Sequence, residues 1–343
     1  MRVVLILNPT SGSSSMATNQ NGAEDNETTI REALATQGIE PEVYYTTPED
    51  AGEGLAREAA ARGAEIVIAA GGDGTLHAVA GGLVNTMSTL AIIPMGTMNN
   101  VARSLEIPDS IAGACELITK GATRRIDIGT VNKHIFLEVA GIGLEATLFP
   151  AAEEIKSYGI LSTISGVFKG LDKLFAFQPT RYLISFDEHR SRLYYAIQIS
   201  VCNTPYYGAR LRFAPRAVID DGLLDILVYK NFSILEYILH GIAISQGRRP
   251  LEPKLVQRKA KSLRIKSEQP VEIHVDGVYL GHTPATIAVM PGVLRVRVPQ
   301  HVAHGPHMMN ERVKETRIHR RARKNEASGI TQILEEEGSR YVK

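Results

Sequence analysis

One strand that runs straight into glycine constrains this chain more than any other feature. EIVIAA at 65–70 is an unbroken β-branched and aliphatic run, the pattern of a strand buried on both faces of a parallel sheet. It leads directly into Gly71-Gly72-Asp73-Gly74-Thr75, after which Leu76, Val79, Ala80 and Leu83 recur at helical spacing. Three glycines at a strand end let the main chain turn sharply and approach a ligand with no Cβ in the way. The helix start that follows offers unpaired N–H groups and the positive end of a dipole, which together make a phosphate site. The bland alternative is a tight turn with a capping Asp.

The rest of the first 125 residues has the same alternation. RVVLIL at 2–7 is a buried strand that stops at Asn8-Pro9, and a polar stretch from Ser11 to about Asn26 reads as a loop. Thr29 and Glu32 have capping-box spacing before a helix through Leu34. EVYY at 42–45 is a strand, and Thr47-Pro48-Glu49-Asp50 predicts a helix start with Ala51, Leu55 and Ala59 on its apolar face. TLAIIP at 89–94 is a fourth strand, and Cys115 falls in a helix at about 110–119. Strands alternating with helices predict an α/β domain with a parallel sheet over 1–125.

Beyond it the pattern changes. RIDIGTV, HIFLEVAG, RYLISFD, YYAIQISV, GLLDILVY, SLRIKS, VEIHVDG and VLRVRVP are short strands between turn signals, predicting an antiparallel sandwich or barrel domain over 126–300. An apolar helical stripe interrupts it at about 151–177, through Leu161, Ile164, Phe168, Leu171 and Phe175. The stripe packs on the sandwich or lies in a membrane interface. The tail 301–343 is basic, with seven cations against Glu315 between Arg312 and Lys324, a solvated extension or a segment that meets anionic lipid.

Composition removes several classes of function. Lys+Arg 38 against Asp+Glu 37 leaves a net charge of +1 and no basic field for nucleic acid. Two cysteines, Cys115 and Cys202, make neither a disulfide scaffold nor a zinc cluster, and a reducing, cytoplasmic setting is expected. No apolar run approaches the roughly 18 residues of a membrane helix, and MRVVLILNPT reads as a first strand and not as a signal peptide. Nothing in the chain sets the number of copies, and a homo-oligomer fits it as well as a monomer.

The chemistry gathers at three turns. Asn8-Pro9-Thr10-Ser11-Gly12, the loop Gly71 to Thr75, and Pro94-Met95-Gly96-Thr97-Met98-Asn99-Asn100 all fall at the carboxyl ends of parallel strands, where open α/β sheets bind ligands. Together they describe a nucleotide cleft. Asp73 would repel phosphate, so its uses are holding Mg²⁺ or accepting a proton from an attacking hydroxyl. Gly141-x-Gly143-x-x-Ala146 imitates a dinucleotide fingerprint, but it sits among the antiparallel strands and reads as a close-packed strand end.

With these motifs in hand, the chain resembles the diacylglycerol kinase catalytic-domain family of lipid kinases, related to sphingosine kinases and NAD kinases. The resemblance covers about 1–300 and rests on NPTSG, GGDGT, PMGTMNN, RIDIG, AGIGLEA, the run from Asn203 through Pro215 to Asp221-Gly222-Leu223-Leu224-Asp225, and Asp276-Gly277. It implies an N-terminal α/β domain that binds ATP, a C-terminal β-sandwich that helps form the lipid site, and transfer of the γ-phosphate to a hydroxyl of diacylglycerol or a related lipid. By position it implies ATP contacts at Asn8, Thr10, Thr47, Gly71, Gly72, Asp73, Gly74, Thr75, Gly96, Thr97 and Asn99. It places Mg²⁺ at Asp221 with the carbonyls of Val218 and Leu223, where the residues alone read equally as an Asp-Gly turn. The partners implied are ATP and a lipid at a membrane surface, with peripheral association on the inner membrane face.

The departures matter as much as the matches. The family's Asp-Gly is normally followed by Glu, its expected general base; here the residue is Val278. The family's Glu on the glycine-loop helix is Ala78, and the Asp of its third turn is Asn100. Losing a general base typically costs about 10²–10⁴ in rate, whereas phosphoryl transfer depends mainly on positioning and charge neutralisation. In the related sphingosine kinases the Asp of the glycine loop is the expected base, which points to Asp73, with Asp276 second. The alternative is a catalytically impaired nucleotide-binding homologue that acts by binding. An NAD kinase shares the glycine loop, but the C-terminal motifs favour the lipid branch.

Overall fold

The aliphatic runs of the first 94 residues form four parallel strands. In the computed structural model, which describes residues 1–11, 21–144, 178–208, 212–245 and 254–302, the chain begins β1 (Val3–Leu7), α1 (Asn21–Thr36), β2 (Glu42–Tyr45), α2 (Glu53–Ala61), β3 (Ile66–Gly71), α3 (Asp73–Leu83) and β4 (Thr89–Pro94). The strand order is β4-β3-β1-β2, all parallel. Every residue of β1, β3 and β4 is buried, as expected of strands covered on both faces. The chain leaves β1 toward β2 on one side and returns to β3 on the other. The carboxyl ends of β1 and β3 therefore flank the topological switch point, where open α/β sheets leave a crevice.

Helix starts differ from their sequence signals. α1 begins at Asn21, upstream of the Thr29 cap signal, and Thr29 lies inside the helix. Glu27 ties its early turns down, pairing with Arg31 at 2.7 Å and accepting from the Tyr45 hydroxyl at 2.8 Å. α2 begins at Glu53 and not at Pro48. Thr47 and Asp50 close a turn instead, with Thr47 N–H donating to the Asp50 carbonyl at 3.0 Å. Asp50 then caps the helix, accepting from the N–H groups of Gly52, Gly54 and Leu55 at 2.8, 3.1 and 3.0 Å. The buried face carries Ala56 and Ala59, while Ala51 is exposed and precedes the helix.

Two short helices follow, α4 (Asn100–Ser104) and α5 (Ile111–Lys120). The second starts as expected, Ser110 Oγ accepting from Gly113 N–H at 3.2 Å. It packs Ala114, Cys115 and Ile118 with Leu5, Ile68 and Ile93 of the sheet. Burial pushes the Cys115 thiol up to about 11, so it is a core residue and not a nucleophile.

The antiparallel part comprises β5 (Ala122–Val131), β6 (His134–Phe136), β7 (Val139–Gly143), β8 (Thr180–Phe186), β9 (Arg192–Cys202), β10 (Leu224–Lys230), α6 (Ile234–Ser245), β11 (Leu255–Ala260), β12 (Ser262–Ser267), β13 (Glu272–Val275), β14 (Val278–His282) and β15 (Ala285–Val298). Its core gathers Ile142, Tyr182, Ile199, Ile226, Ile265 and Ile287. The fold class is the expected one, a parallel α/β part followed by an antiparallel sheet part. The joint between them is not: β15 lies antiparallel to β5 and β12 and also parallel to β4, through Arg295↔Thr89 and Val296↔Leu90, so one hydrogen-bonded network runs through both. The boundary expected at 125 falls inside β5. The helical insertion expected at 151–177 and the tail from 303 onward lie outside the described residues.

Candidate active site

The described part of the first turn, Asn8 to Ser11, meets the glycine loop after β3, which in turn meets the turn after β4. Asn8 closes β1 with its N–H on the Ala70 carbonyl at 3.0 Å and its Nδ2 on Thr75 Oγ1 at 3.1 Å, joining the end of β1 to the loop after β3. Asn8 Oδ1 accepts from Thr10 N–H and Oγ1 at 3.0 and 2.8 Å. Met95 N–H donates to the Gly71 carbonyl at 2.9 Å, binding the third turn to the second. A Cβ on Gly96 would lie 2.7 Å from the Gly72 Cα and 2.8 Å from Asn99 Oδ1, so only glycine lets these two loops touch. Asn99, at φ 50, clamps Gly96 from both sides, accepting its N–H at 3.0 Å and donating to its carbonyl at 2.8 Å. Thr97 stays exposed at the rim, and Thr47 sits in the turn after β2, at the same end of the sheet.

This arrangement fits a polyphosphate. Gly72 is the N-cap of α3 and supplies no side-chain cap, and a helix start of that kind can take an anion. A Cβ on Gly74 would meet nothing within 4 Å, so the main chain there borders open space that even a methyl group would enter. Asp73 lies between the loops, its two carboxylate oxygens accepting the N–H groups of Asn99 and Asn100 at 3.0 and 3.1 Å.

The Mg²⁺ set expected at Asp221 does not fit a divalent cation as the turn stands. Lys259 Nζ lies 2.6 Å from Asp221 Oδ2 and 2.9 Å from Asp225 Oδ2, so an ammonium already occupies the position between the carboxylates. Asp221 Oδ1 accepts Leu223 N–H at 3.1 Å, and the Val218 carbonyl accepts Asp221 N–H at 3.5 Å. Among the described residues no cluster of three or more His, Cys, Asp or Glu side chains could hold a metal.

A hydrogen-bonded chain runs from the glycine loop into the antiparallel sheet, joining Asp73 and Asp276 through Glu138, the acid that sequence reasoning missed. Asn100 Nδ2 donates to Glu138 Oε2 at 2.9 Å, while its own N–H is on Asp73. Glu138 N–H and Val139 N–H donate to Asp276 Oδ1, both at 2.9 Å, and Leu137 N–H donates to Asp276 Oδ2 at 2.6 Å. These bonds explain why HIFLEVAG breaks into β6 and β7. His77 of α3 completes the chain, its Nδ1 2.9 Å from Asp276 Oδ2. Burial, reinforced by the charges of Asp276 and Asp73, holds the Glu138 carboxyl well above its usual value of 4.5 and favours the neutral acid.

A carboxyl raised on folding contributes stability that is fully present below its unfolded value and is lost as pH rises through the folded value. Glu138→Gln removes that dependence. The melting temperature of the variant is therefore expected to gain on the wild type as pH is raised above the usual carboxylate range. A gap that stays constant over that rise would show that Glu138 is not held neutral.

Known proteins carry the same parts. The family profile Diacylglycerol kinase catalytic domain matches residues 2–131, and YegS C-terminal NAD kinase beta sandwich-like domain matches 139–298. Diacylglycerol kinase of Bacillus subtilis (strain 168) is 28% identical over 308 residues, 88% of this chain and 98% of that protein. The crystal structure of a diacylglycerol kinase from Bacillus anthracis str. Sterne is 27% identical with TM-score 0.68, covering 88% of this chain and 98% of that one. A further structure from the same organism is 30% identical, with TM-score 0.70 and the same coverage. The fold, a parallel sheet built onto an antiparallel one, is thus the one these kinases have. The chain belongs to the diacylglycerol kinase catalytic-domain family.

Proposed function

We propose that this member of a lipid kinase family transfers the γ-phosphate of ATP to a hydroxyl of diacylglycerol or a related lipid. The observation that carries the reading is the joining of the three turns at the switch point of the parallel sheet, with space beside Gly74 for the phosphates. ATP brings Mg²⁺ as the counter-ion of its own phosphates. The contacts follow the expected set: Asn8 and Thr10 at the end of β1, Thr47 after β2, Gly71 to Thr75, then Gly96, Thr97 and Asn99. The bond from the γ-phosphorus to the β,γ-bridging oxygen breaks, the acceptor oxygen bonds to that phosphorus, ADP leaves, and the acceptor's proton passes to a base. No helix among the described residues is long and apolar enough to cross a membrane, and the enzyme meets its lipid peripherally.

Two groups are candidates for the base. Asp73 is the acid of the glycine loop, held by the Asn99 and Asn100 N–H groups. His77 stands on the Asp276 side. A second reading, a homologue that binds nucleotide without catalysis, is favoured by Val278, which is 66% exposed where the family carries its glutamate.

Incubation with γ-labelled ATP and diacylglycerol, sphingoid and glycolipid acceptors tests the two readings. The kinase reading expects label in the lipid phase with the wild type. The binding-only reading expects none until Val278→Glu restores the glutamate.

A further inference from the structure

We infer that His77, aligned by Asp276, is the general base that takes the proton of the acceptor hydroxyl, filling the role that Val278 cannot. The inference rests on the lipid-kinase reading. Its geometry is that of a nucleophile-activating dyad. Asp276, its side chain 9% exposed, cannot turn away from His77, because three backbone N–H groups from Leu137, Glu138 and Val139 hold both of its oxygens. A carboxylate oxygen facing Nδ1 selects the tautomer with its proton on that nitrogen, which leaves the Nε2 lone pair as the proton acceptor.

The surroundings match a lipid alcohol. His77 lines a cavity of about 590 Å³ together with Ile135, Val278, Tyr279, Leu280 and Lys133. Val278 and Tyr279, 66% and 54% exposed, are among its lining residues and offer apolar surface for an alkyl chain beside one polar group that can receive a proton. Val278 stands on the same hairpin as Asp276 and lines the same cavity as His77, so the dyad lies beside the position of the lost glutamate. The phosphate end is connected: α3 carries both the glycine loop at its start and His77 on the following turn. The hydrogen bonds through Asp73, Asn100, Glu138 and Asp276 fix one to the other.

The charged and titratable groups around His77 are Asp276 from the β13–β14 turn and, lining the same cavity, Glu53 from α2, Lys133 from the β5–β6 turn, His134 from β6 and Tyr279 from β14. Burial works against the imidazolium, but the Asp276 hydrogen bond and charge, with Glu53 behind them, outweigh it and raise His77 above 6.5. The proton moves from the acceptor hydroxyl to Nε2 as the phosphorus–oxygen bond forms. The imidazolium, 31% exposed, then returns it to solvent.

The test is the pH dependence of kcat/KM for phosphate transfer from ATP to diacylglycerol micelles in the wild type, His77→Gln, Asp73→Asn and the double variant His77→Gln/Val278→Glu, with ATP binding followed by calorimetry. The wild-type rate is expected to rise with pH through a midpoint above 6.5. His77→Gln is expected to lose about 10²–10³ in rate together with that rise, while keeping ATP affinity. The double variant is expected to recover rate with a midpoint displaced toward the carboxylate range. Wild-type transfer that persists within threefold in His77→Gln with the same profile overturns the inference alone, and loss of the rise in Asp73→Asn only would assign the role to Asp73. No transfer by the wild type to any alcohol overturns the lipid-kinase reading and the inference with it.

Discussion

Asp276→Ala is expected to lower the stability of the chain by about 3–5 kcal/mol and to abolish phosphate transfer. The carboxylate satisfies three backbone N–H groups at the break between β6 and β7. Each buried donor left without a partner costs about 1–3 kcal/mol, and neighbouring losses do not add fully. A domain has only about 5–15 kcal/mol in all, so the melting temperature is expected to fall by about 10 °C. Asp276→Asn, which keeps one acceptor oxygen, is expected to fall between. Thermal unfolding followed by circular dichroism measures both. A drop below about 2 °C for Asp276→Ala would mean that the turn holds itself without the carboxylate.

Alanine at two glycines of the cleft is expected to separate folding from binding. At Gly96 the new Cβ lands 2.7 Å from the Gly72 Cα, a backbone atom that cannot swing aside, so the two loops must part. The Asn99 clamp on Gly96 and the Asp73 bonds to Asn99 and Asn100 are strained with them. That variant is expected to lose about 1–3 kcal/mol, the usual cost of overpacking, and at least about a hundredfold in ATP affinity. At Gly74 the Cβ meets nothing within 4 Å. Gly74→Ala is expected to melt with the wild type yet bind ATP at least about tenfold more weakly, because its methyl enters the space assigned to phosphate. A Gly74→Ala variant that melts early, or a Gly96→Ala variant that binds normally, would contradict this division.

The parts of the site that were legible in the sequence are those governed by local chemistry. A buried strand followed by glycine has few ways to continue, so β1, β3, β4 and their terminal turns fell where the residues put them. Helix starts were less legible, because capping depends on which side chain reaches the first N–H groups. Asp50 does so for α2, although Thr47-Pro48 has the stronger local signal. Lys259 is invisible to motif reading: strand pairing sets it against Asp225, and it fills the position expected for a cation.

Glu138 was unreadable for a related reason. One acid in an apolar strand looks half-exposed, and only the approach of Asn100 and Asp276 makes it a buried member of a network. Asp276-Gly277 does form the turn its sequence suggests, with Asp276 at φ 45, but the use of its carboxylate depends on residues remote in the chain. The strand β15 reads locally as an antiparallel element, and its parallel pairing with β4 is a tertiary choice.

Calorimetric titration of the wild-type chain with ATP and Mg²⁺, with Gly74→Ala alongside, tests most directly whether these turns grip a triphosphate. Saturable one-site binding between about 1 μM and 1 mM is expected for the wild type, weakened at least about tenfold by the added methyl. No binding, or equal binding by the two chains, would contradict the placement of ATP at the glycine loop.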